Sequence, residues 1–306
     1  MSQQFAIVEI SSCLGEKETS PGLLFDDDDG RISAKTGIKI LHRSAQSAFD
    51  LALEAVGRLD SLAAWKAQIK YVLYVTQSPS YFLPNHASRI QAACDLPLSS
   101  MCFDINQGCS GYVQALTTLL ALQSKGPGAG LIVCADTYSQ HLDKDDRSTQ
   151  VLFSDGATAT PIAPTGGLAL VGVSHLTDGS GADLLNKPVA QEERLKMDGA
   201  AVFHWTRNAL GRQIAALLEE HGLVDSDIDH FVLHQASQLV IDNVIKSLGI
   251  SPHKVPTTLP LTGNLVSSSI PFLLQNNMDV LVGEKNIVVA GFGVGLSSTA
   301  CLIKAA

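Results

Sequence analysis

One cysteine, Cys109, stands in a sequence context that suits a nucleophile. It follows a short strand-like run and precedes a helical pattern in which apolar residues recur at three- and four-residue spacing from Tyr112 onward. A thiol at the beginning of a helix lies at the positive end of the helix dipole, which favours the reactive thiolate. Gly108 and Gly111 would leave room for a substrate beside the sulfur. The alternative is an inert buried cysteine, which is the commoner fate of this residue.

Two further residues have side chains that could cooperate with a nucleophile. His234 ends a predicted strand, and open α/β sheets place their ligand sites at the carboxyl ends of strands. A core histidine satisfied by a backbone carbonyl explains the same position equally well. Asn264 follows a glycine and precedes a run of serines and a Ser-Ile-Pro segment, which taken alone is typical of a turn.

A glycine-rich segment at residues 291–295 follows another predicted strand. It lacks the GxGxxG spacing and the later acidic residue of a dinucleotide-binding fingerprint, so we do not expect a nucleotide there. The backbone N–H groups around Gly293 and Val294 could instead stabilise a negatively charged oxygen during a reaction.

Helices and apolar strands alternate along the chain and must position these residues. The pattern predicts, in order, a helix at 45–64, a strand at 69–75, a helix from 112, a strand at 130–135, a helix at 201–220, a strand at 229–234, a helix at 239–248 and a strand at 286–290. Helices that alternate with continuously apolar strands indicate sheets covered on both faces. The similar order in each half predicts a duplicated α/β unit, with halves at 1–163 and 164–306 that join near Pro161 to Gly167.

Composition narrows the class of protein. The 306 residues are 45% apolar and 17% charged, which suits one large domain or two closely packed ones around a sizeable core. A formal net charge of -9 argues against a nucleic-acid binder. Six cysteines without a CxxC pair suit a reducing compartment, so we expect a cytoplasmic protein. We expect no signal peptide and no membrane partner, because neither a basic segment followed by an apolar run nor a transmembrane-length apolar stretch is found.

An acidic run, Asp26 to Asp29, precedes Gly30. It predicts a solvated loop and turn. A metal site is the weaker alternative, because the alternating ligand spacing of a calcium loop is absent.

The order of Cys109, His234, Asn264 and the glycine segment resembles the ketoacyl-acyl-carrier-protein synthase III group of the thiolase superfamily. The resemblance covers nearly the whole chain. Its other matching segments are Lys35-Thr36-Gly37-Ile38, Asp146-Arg147-Ser148-Thr149, Leu152-Phe153-Ser154-Asp155-Gly156-Ala157, Met197-Asp198-Gly199, Val202-Phe203 and Ser269-Ile270-Pro271. It implies an α/β protein with the thiolase-like duplicated αβαβα layered fold.

The resemblance also implies a decarboxylative Claisen condensation. The Cys109 thiolate would attack an acyl thioester, and the acyl-enzyme would then react with the carbanion that a malonyl-thioester forms on losing CO₂. His234 and Asn264 would donate hydrogen bonds to the developing enolate. The backbone N–H groups of Cys109 and Val294, beside Gly293, would hold the tetrahedral oxyanion. We expect no cofactor and no metal; the substrates would be acyl-CoA, acyl-carrier-protein or malonyl thioesters.

Seven residues match substrate-binding positions of that group: Lys35, Arg147, Gly199, Phe203, Ser237, Lys246 and Leu83. At some of these positions, and at several neighbouring ones, the residue type departs from the pattern of the group. Lys35 stands where arginine is common, and Arg31 stands where many members stack a tryptophan on the adenine of coenzyme A. The segment Ser237-Gln238-Leu239 lacks an arginine that helps to dock the carrier protein, and Val294 replaces a common glycine. These departures predict intact chemistry with altered donor or acceptor recognition, in a secondary pathway.

Leu83 lies in a loop, Ser78 to Pro84, that is unusually apolar for a connection. By resemblance this loop would close the acyl pocket of the partner in a homodimer. The alternative is a loop folded onto its own core.

Two other functions remain open at this stage. The first is transfer of the acyl group from Cys109 to an oxygen or nitrogen nucleophile without decarboxylation, with His234 as general base. The second is a non-catalytic subunit of a hetero-complex. The presence of Cys109, His234 and Asn264 together argues against the second.

Overall fold

The computed structural model describes residues 3–25, 30–190, 192–283 and 285–305. The acidic run at 26–29 lies outside the described residues, so both interpretations of it stay untested. Among the described residues, no helix is both long enough and apolar enough to cross a membrane.

Thirteen strands are found in the described residues: β1 (Gln3–Ile7), β2 (Ser11–Leu14), β3 (Lys17–Thr19), β4 (Leu41–Arg43), β5 (Ile69–Val75), β6 (Met101–Ile105), β7 (Ala129–Asp136), β8 (Gly156–Thr177), β9 (Leu185–Asn186), β10 (Lys196–Met197), β11 (His230–Leu233), β12 (Lys285–Gly293) and β13 (Ser297–Ala305). The α-helices are α1 (Pro21–Leu24), α2 (Arg31–Thr36), α3 (Ala48–Gly57), α4 (Leu62–Trp65), α5 (His86–Ala93), α6 (Gly111–Gln123), α7 (Arg147–Gln150), α8 (Gly199–Glu220), α9 (Gln238–Leu248), α10 (Leu259–Thr262) and α11 (Ser269–Gln275).

The two halves pair their strands in the same order. In the first half, β5 runs parallel to β7, β7 is antiparallel to β8, and β8 is antiparallel to β2. In the second half, β11 runs parallel to β12, β12 is antiparallel to β13, and β13 is antiparallel to the later part of β8. The long strand β8 therefore belongs to both halves, and this repeated order agrees with the duplicated unit predicted from the sequence.

The fold has five layers: helices, a sheet region, the central helices, a second sheet region and helices again. Successive residues of a central strand therefore face different helix layers. In β7, Leu131 and Val133 pack with α3 and α5, whereas Ile132 and Cys134 pack with α6. In β12, Val288 packs with α8 and α9, and the neighbouring residues of that strand face the central layer. Helices α6 and α11 lie between the two sheet regions in one shared core. Strands buried on both faces explain why the sequence shows continuous apolar runs.

The structure differs from the sequence prediction at the helix expected over 45–64, which is two helices. Ser47 and Asp50 form a capping box at the beginning of α3. The break follows Gly57, because the backbone N–H groups of Asp60 and Ser61 donate to the Glu9 carboxylate at 3.1 and 2.9 Å. These two donors are thereby turned away from a continuous helix.

Strands β8 and β13 were not predicted. The first half of β8 is rich in alanine, threonine, glycine and proline, which are not typical strand formers. The predicted join near Pro161 to Gly167 lies inside β8 rather than between elements. The division at residues 163 and 164 stays a prediction.

Candidate active site

Cys109 lies just before α6, next to the N-cap residue Ser110. Gly291 and Gly293 of β12 pack closely against it. The N–H of Gly111 donates to the carbonyl of Gly108 at 2.8 Å and so begins the helix. A β-carbon at Gly291 would lie 2.6 Å from the Cys109 carbonyl oxygen, and one at Gly293 would lie 3.1 Å from Sγ. The glycine segment is therefore needed for the close approach of β12 to the nucleophile. Its first three residues belong to the strand itself.

His234 follows β11 and is held against β12. Its backbone N–H donates to the carbonyl of Ala290 at 2.9 Å, and its ring meets the ring of Phe292 edge-on, with centroids 5.5 Å apart. The side chain is buried, and neither Nδ1 nor Nε2 has a hydrogen-bond partner among the described residues. The alternative of a histidine satisfied by a backbone carbonyl is therefore wrong. Burial lowers the pKa of His234 to about 3, so the imidazole is neutral near pH 7.

Asn264 is fixed by bonds on three of its groups. Its backbone N–H donates to the carbonyl of Leu152 at 2.9 Å, and its carbonyl accepts from the N–H of Ser154 at 2.8 Å. Its side-chain Oδ1 accepts from the N–H of Val266 at 2.9 Å. The amide Nδ2 is then the side chain's remaining donor. At Gly263, φ is +60° and a β-carbon would lie 3.0 Å from the Leu152 carbonyl oxygen, so only glycine suits this turn.

The structure brings the three predicted catalytic residues to one place. Strand β12 contacts Cys109 through its glycines and His234 through Phe292. Val266, whose N–H orients Asn264, packs in the same apolar cluster as Cys109. Residues that are far apart in sequence thus meet around the end of β12, as the motif order predicts.

Asp136, which the sequence analysis missed, lies behind this site at the end of β7. Its fully buried carboxylate accepts from the N–H of Gln77 at 2.7 Å, from the N–H and hydroxyl of Ser267, and from Thr76 at 3.4 Å. Burial raises the pKa of Asp136 to about 7. The residue directly follows the predicted strand at 130–135, which is the one signal in the sequence that pointed to it.

The environment of Cys109 opposes the thiolate. Burial, with a further contribution from the Asp136 charge, raises the pKa of the Cys109 thiol to about 12. The helix-start argument predicted a shift in the other direction, and burial outweighs it. The resting sulfur is therefore a thiol, and it must lose its proton as it attacks.

An apolar cluster surrounds Cys109. Its buried residues are Tyr138, Leu142, Phe153, Leu185, Leu195 and Val266, with Leu152, Met197, Val202 and Val294 packed against them. Val294 lies beside the chain before the nucleophile, since a β-carbon at Gly108 would be 3.2 Å from its Cγ1. This position is compatible with the predicted oxyanion role of the Val294 N–H, which stays a prediction.

The remaining predicted substrate residues lie outside the Cys109 cluster. Lys35 is exposed in the last turn of α2, Gly199 begins α8 and Phe203 is half-buried on that helix. Ser237 caps α9 by accepting from the Val240 N–H, and Lys246 is exposed near the other end of α9. A β-carbon at Gly37 would meet Gln238 at 2.8 Å, so the end of α2 lies against the beginning of α9. Arg147 is exposed, with its guanidinium 5.4 Å from the Phe25 ring centre. Lys35 and Ser237 thus lie near the contact between α2 and α9, whereas Lys246 lies at the far end of α9.

Leu83 lies at the tip of an exposed loop. Phe82 is 97% exposed and Leu83 is 73% exposed, so these two residues are not folded onto the chain's own core. Tyr81 does fold back, beneath Arg89 and against His86. The apolar tip therefore faces outward on a single chain.

Known proteins match both the sequence and the structure. The family model for 3-oxoacyl-[acyl-carrier-protein] synthase III matches residues 103–179, and the model for the C-terminal part of that synthase matches residues 218–305. The beta-ketoacyl-[acyl-carrier-protein] synthase III of Streptococcus agalactiae serotype III (strain NEM316) is 34% identical over 305 residues, with 94% of each chain covered.

Two solved structures show the same architecture. A 2.1 Å crystal structure of a 3-oxoacyl-(acyl-carrier-protein) synthase III is 32% identical, with a TM-score of 0.90 and coverage of 98% of this chain and 99% of that one. The corresponding synthase of Pseudomonas aeruginosa PAO1 is 29% identical, with a TM-score of 0.91 and coverage of 99% and 98%. The layered α/β fold predicted from the sequence is thereby confirmed.

Proposed function

Because the chain belongs to the 3-oxoacyl-[acyl-carrier-protein] synthase III family of condensing enzymes, we propose that Cys109 takes an acyl group from a thioester and passes it to the carbanion of a malonyl-thioester. One observation carries the proposal: Cys109, His234 and Asn264 converge on the end of β12. The protonation states of Cys109 and His234 support it, because the buried thiol keeps its proton and the neutral imidazole has no hydrogen-bond partner among the described residues.

The first half-reaction acylates Cys109. The sulfur forms a bond to the thioester carbonyl carbon while its proton passes to His234, which accepts it because the imidazole is neutral. The N–H groups of Cys109 and Val294 stabilise the tetrahedral oxyanion. The oxyanion then collapses, the carbon–sulfur bond of the donor breaks, and the departing thiolate takes the proton from His234 and leaves as a thiol.

The second half-reaction forms the carbon–carbon bond. A malonyl-thioester loses CO₂, and the electron pair of the broken bond becomes an enolate. Nδ2 of Asn264 and the single N–H of neutral His234 donate to the enolate oxygen. The enolate carbon attacks the acyl-Cys109 carbonyl, the carbon–sulfur bond breaks, and the departing Cys109 thiolate takes up a proton from solvent to restore the resting thiol. The products are a 3-oxoacyl thioester, CO₂ and free Cys109.

We also propose how substrates reach the site. Three exposed cations lie near the ends of helices α2, α7 and α9: Lys35, Arg147 and Lys246. Their positive charges suit the phosphates of coenzyme A or the acidic groups of an acyl carrier protein. No metal or redox cofactor enters this chemistry. All six cysteines are free thiols, which fits a cytoplasmic enzyme.

A homodimer completes the proposal. The exposed tip of Phe82 and Leu83 is an apolar surface of the kind that marks an interface. Strand β6 pairs with β5 on one side, and no described strand pairs with its other edge. A second copy could cover both features at once.

The test measures CO₂ release and product together. Purified protein is acylated with acetyl-CoA, freed of excess donor and given a malonyl-thioester. We expect one CO₂ and one 3-oxoacyl thioester per acyl-enzyme consumed. Acyl transfer to an oxygen or nitrogen acceptor, without CO₂ release, would instead support simple acyl transfer, which is the weaker candidate.

A further inference from the structure

The apolar cluster around Cys109 contains one polar side chain besides the thiol, that of Tyr138. Tyr138 follows β7 and is buried in the Cys109 cluster, with its ring 5.1 Å from that of Phe153. Its hydroxyl donates to Oε1 of Gln77 at 2.7 Å. Burial raises the pKa of Tyr138 well above its ordinary value, so the hydroxyl remains a protonated donor. The other buried side chains of the cluster, apart from Cys109, are hydrocarbons.

Gln77 is held in place on both of its ends. Its backbone N–H donates to the buried Asp136 carboxylate at 2.7 Å, and its Nε2 donates to Oδ1 of Asn106 at 3.3 Å. Its Oε1 lies so close to the residue before the nucleophile that a β-carbon at Gly108 would stand 2.4 Å away. The acceptor for the Tyr138 hydroxyl therefore lies directly against the Cys109 loop.

Building on the proposed function, we propose that Tyr138, held by Gln77, is the end wall of the acyl pocket and restricts Cys109 to short acyl groups. A longer straight chain would have to displace the Tyr138 ring, which packs against Phe153 on one face. Displacement would also break the hydrogen bond to the half-buried Gln77 and leave the buried Tyr138 hydroxyl unpaired. An unpaired buried donor or acceptor carries a penalty that typically costs a long chain a factor of roughly ten or more.

The experiment scores acylation of Cys109 by intact-protein mass spectrometry with acetyl-, butyryl- and octanoyl-CoA. In the wild type we expect acetyl and butyryl groups to load at least about tenfold faster than octanoyl. Tyr138→Leu opens the wall and should raise the octanoyl-to-acetyl rate ratio by about tenfold. Tyr138→Phe keeps the ring and loses the hydrogen bond, so its ratio should fall between the two.

The matched control is Tyr71→Phe. Tyr71 also donates its hydroxyl to a protein oxygen, the carbonyl of Gly126 at 2.6 Å, but far from the Cys109 cluster. Its octanoyl-to-acetyl ratio should equal that of the wild type. A thermal melt of each variant establishes folding, and Tyr138→Phe keeps the test valid if the leucine variant does not fold.

Two failures can be told apart. If no thioester acylates wild-type Cys109, the proposed function is wrong. If the wild type loads octanoyl as fast as acetyl, or if both folded Tyr138 variants keep the wild-type ratio, the end-wall inference alone is overturned.

Discussion

The two halves of the site hold their reactive groups in contrasting ways. On the Cys109 side, the buried Asp136 carboxylate accepts hydrogen bonds from Gln77, Thr76 and Ser267, and this network ties the segments around the nucleophile together. On the other side, the His234 ring lies perpendicular to the Phe292 ring and has no hydrogen bond to the described residues.

This contrast has a chemical consequence. The hydrogen bonds of Asp136 fix the positions of the segments that donate them. The His234 imidazole makes no such bond to the described residues, so both of its nitrogens are available to a substrate. Burial acts on both residues and favours their neutral forms, with the pKa of Cys109 raised to about 12 and that of His234 lowered to about 3. The site thus begins with the proton on sulfur and an empty acceptor on nitrogen. Four substitutions test the roles assigned to the residues in and around this site.

The largest effect is expected from Cys109→Ala. Because the sulfur is the atom that forms the acyl bond, the variant should show no covalent acyl adduct by mass spectrometry and no turnover. Cys94→Ala is the matched control, since Cys94 is a half-exposed thiol outside the Cys109 cluster. An adduct on folded Cys109→Ala would mean that the nucleophile is a different residue.

Asn264→Asp should separate the two half-reactions. Aspartate keeps an oxygen to accept from the Val266 N–H but loses the Nδ2 donor. Loss of one such donor typically costs about 3 kcal/mol of transition-state stabilisation, so condensation should slow by roughly a hundredfold. Acylation of Cys109, followed by mass spectrometry in the absence of malonyl-thioester, should be nearly unchanged. Equal loss in both half-reactions would refute the assignment of Asn264 to the enolate.

Sequence reasoning succeeded where local pattern and motif order carried the information. Continuous apolar runs predicted the buried strands β5, β7, β11 and β12, because these strands are covered on both faces. The motifs around Cys109, His234 and Asn264 predicted three residues that do converge. Their catalytic roles stay predictions.

The same reasoning failed where a distant residue decides the local structure. The helix break before Ser61 depends on the carboxylate of Glu9, which no helical pattern reveals. Tyr138 and Gln77 come from different strand ends, and neither has a motif of its own. The predicted lowering of the Cys109 pKa was wrong, because the sequence shows the beginning of the helix but not the depth at which the thiol is buried.

Asp136→Asn should change the pH dependence of stability. The pKa of this carboxyl rises from 3.8 to about 7 on folding, mainly through burial, so the folded state holds more protons between those values. The contribution of Asp136 to stability is therefore fully present below pH 3.8 and is lost as pH rises toward about 7. The measurement is the unfolding free energy of the wild type minus that of the variant at each pH. This difference isolates the pH dependence due to Asp136, because the lowered pKa of His234 contributes equally to both proteins.

A second readout follows the nucleophile itself. Removal of the Asp136 charge should lower the pKa of Cys109, so iodoacetamide should alkylate the thiol faster at a given pH in Asp136→Asn. Asp183→Asn makes the same charge change at an exposed position and should leave both measurements unchanged. A pH-independent difference in stability, with unchanged alkylation, would show that Asp136 is not ionised near the nucleophile.

The smallest effect is expected from Leu83→Trp, which tests a contribution from outside the chain. If the exposed tip of one copy enters the acyl pocket of the other, a larger side chain there should narrow a pocket that Tyr138 already limits. The butyryl-to-acetyl loading ratio should then fall a few-fold, with acetyl loading unchanged. Val224→Trp enlarges another exposed aliphatic side chain, beyond the end of α8, and should have no effect. Sedimentation of the wild type should give a dimer; a monomer, or a Leu83→Trp ratio equal to that of the wild type, would place the acyl pocket within a single chain.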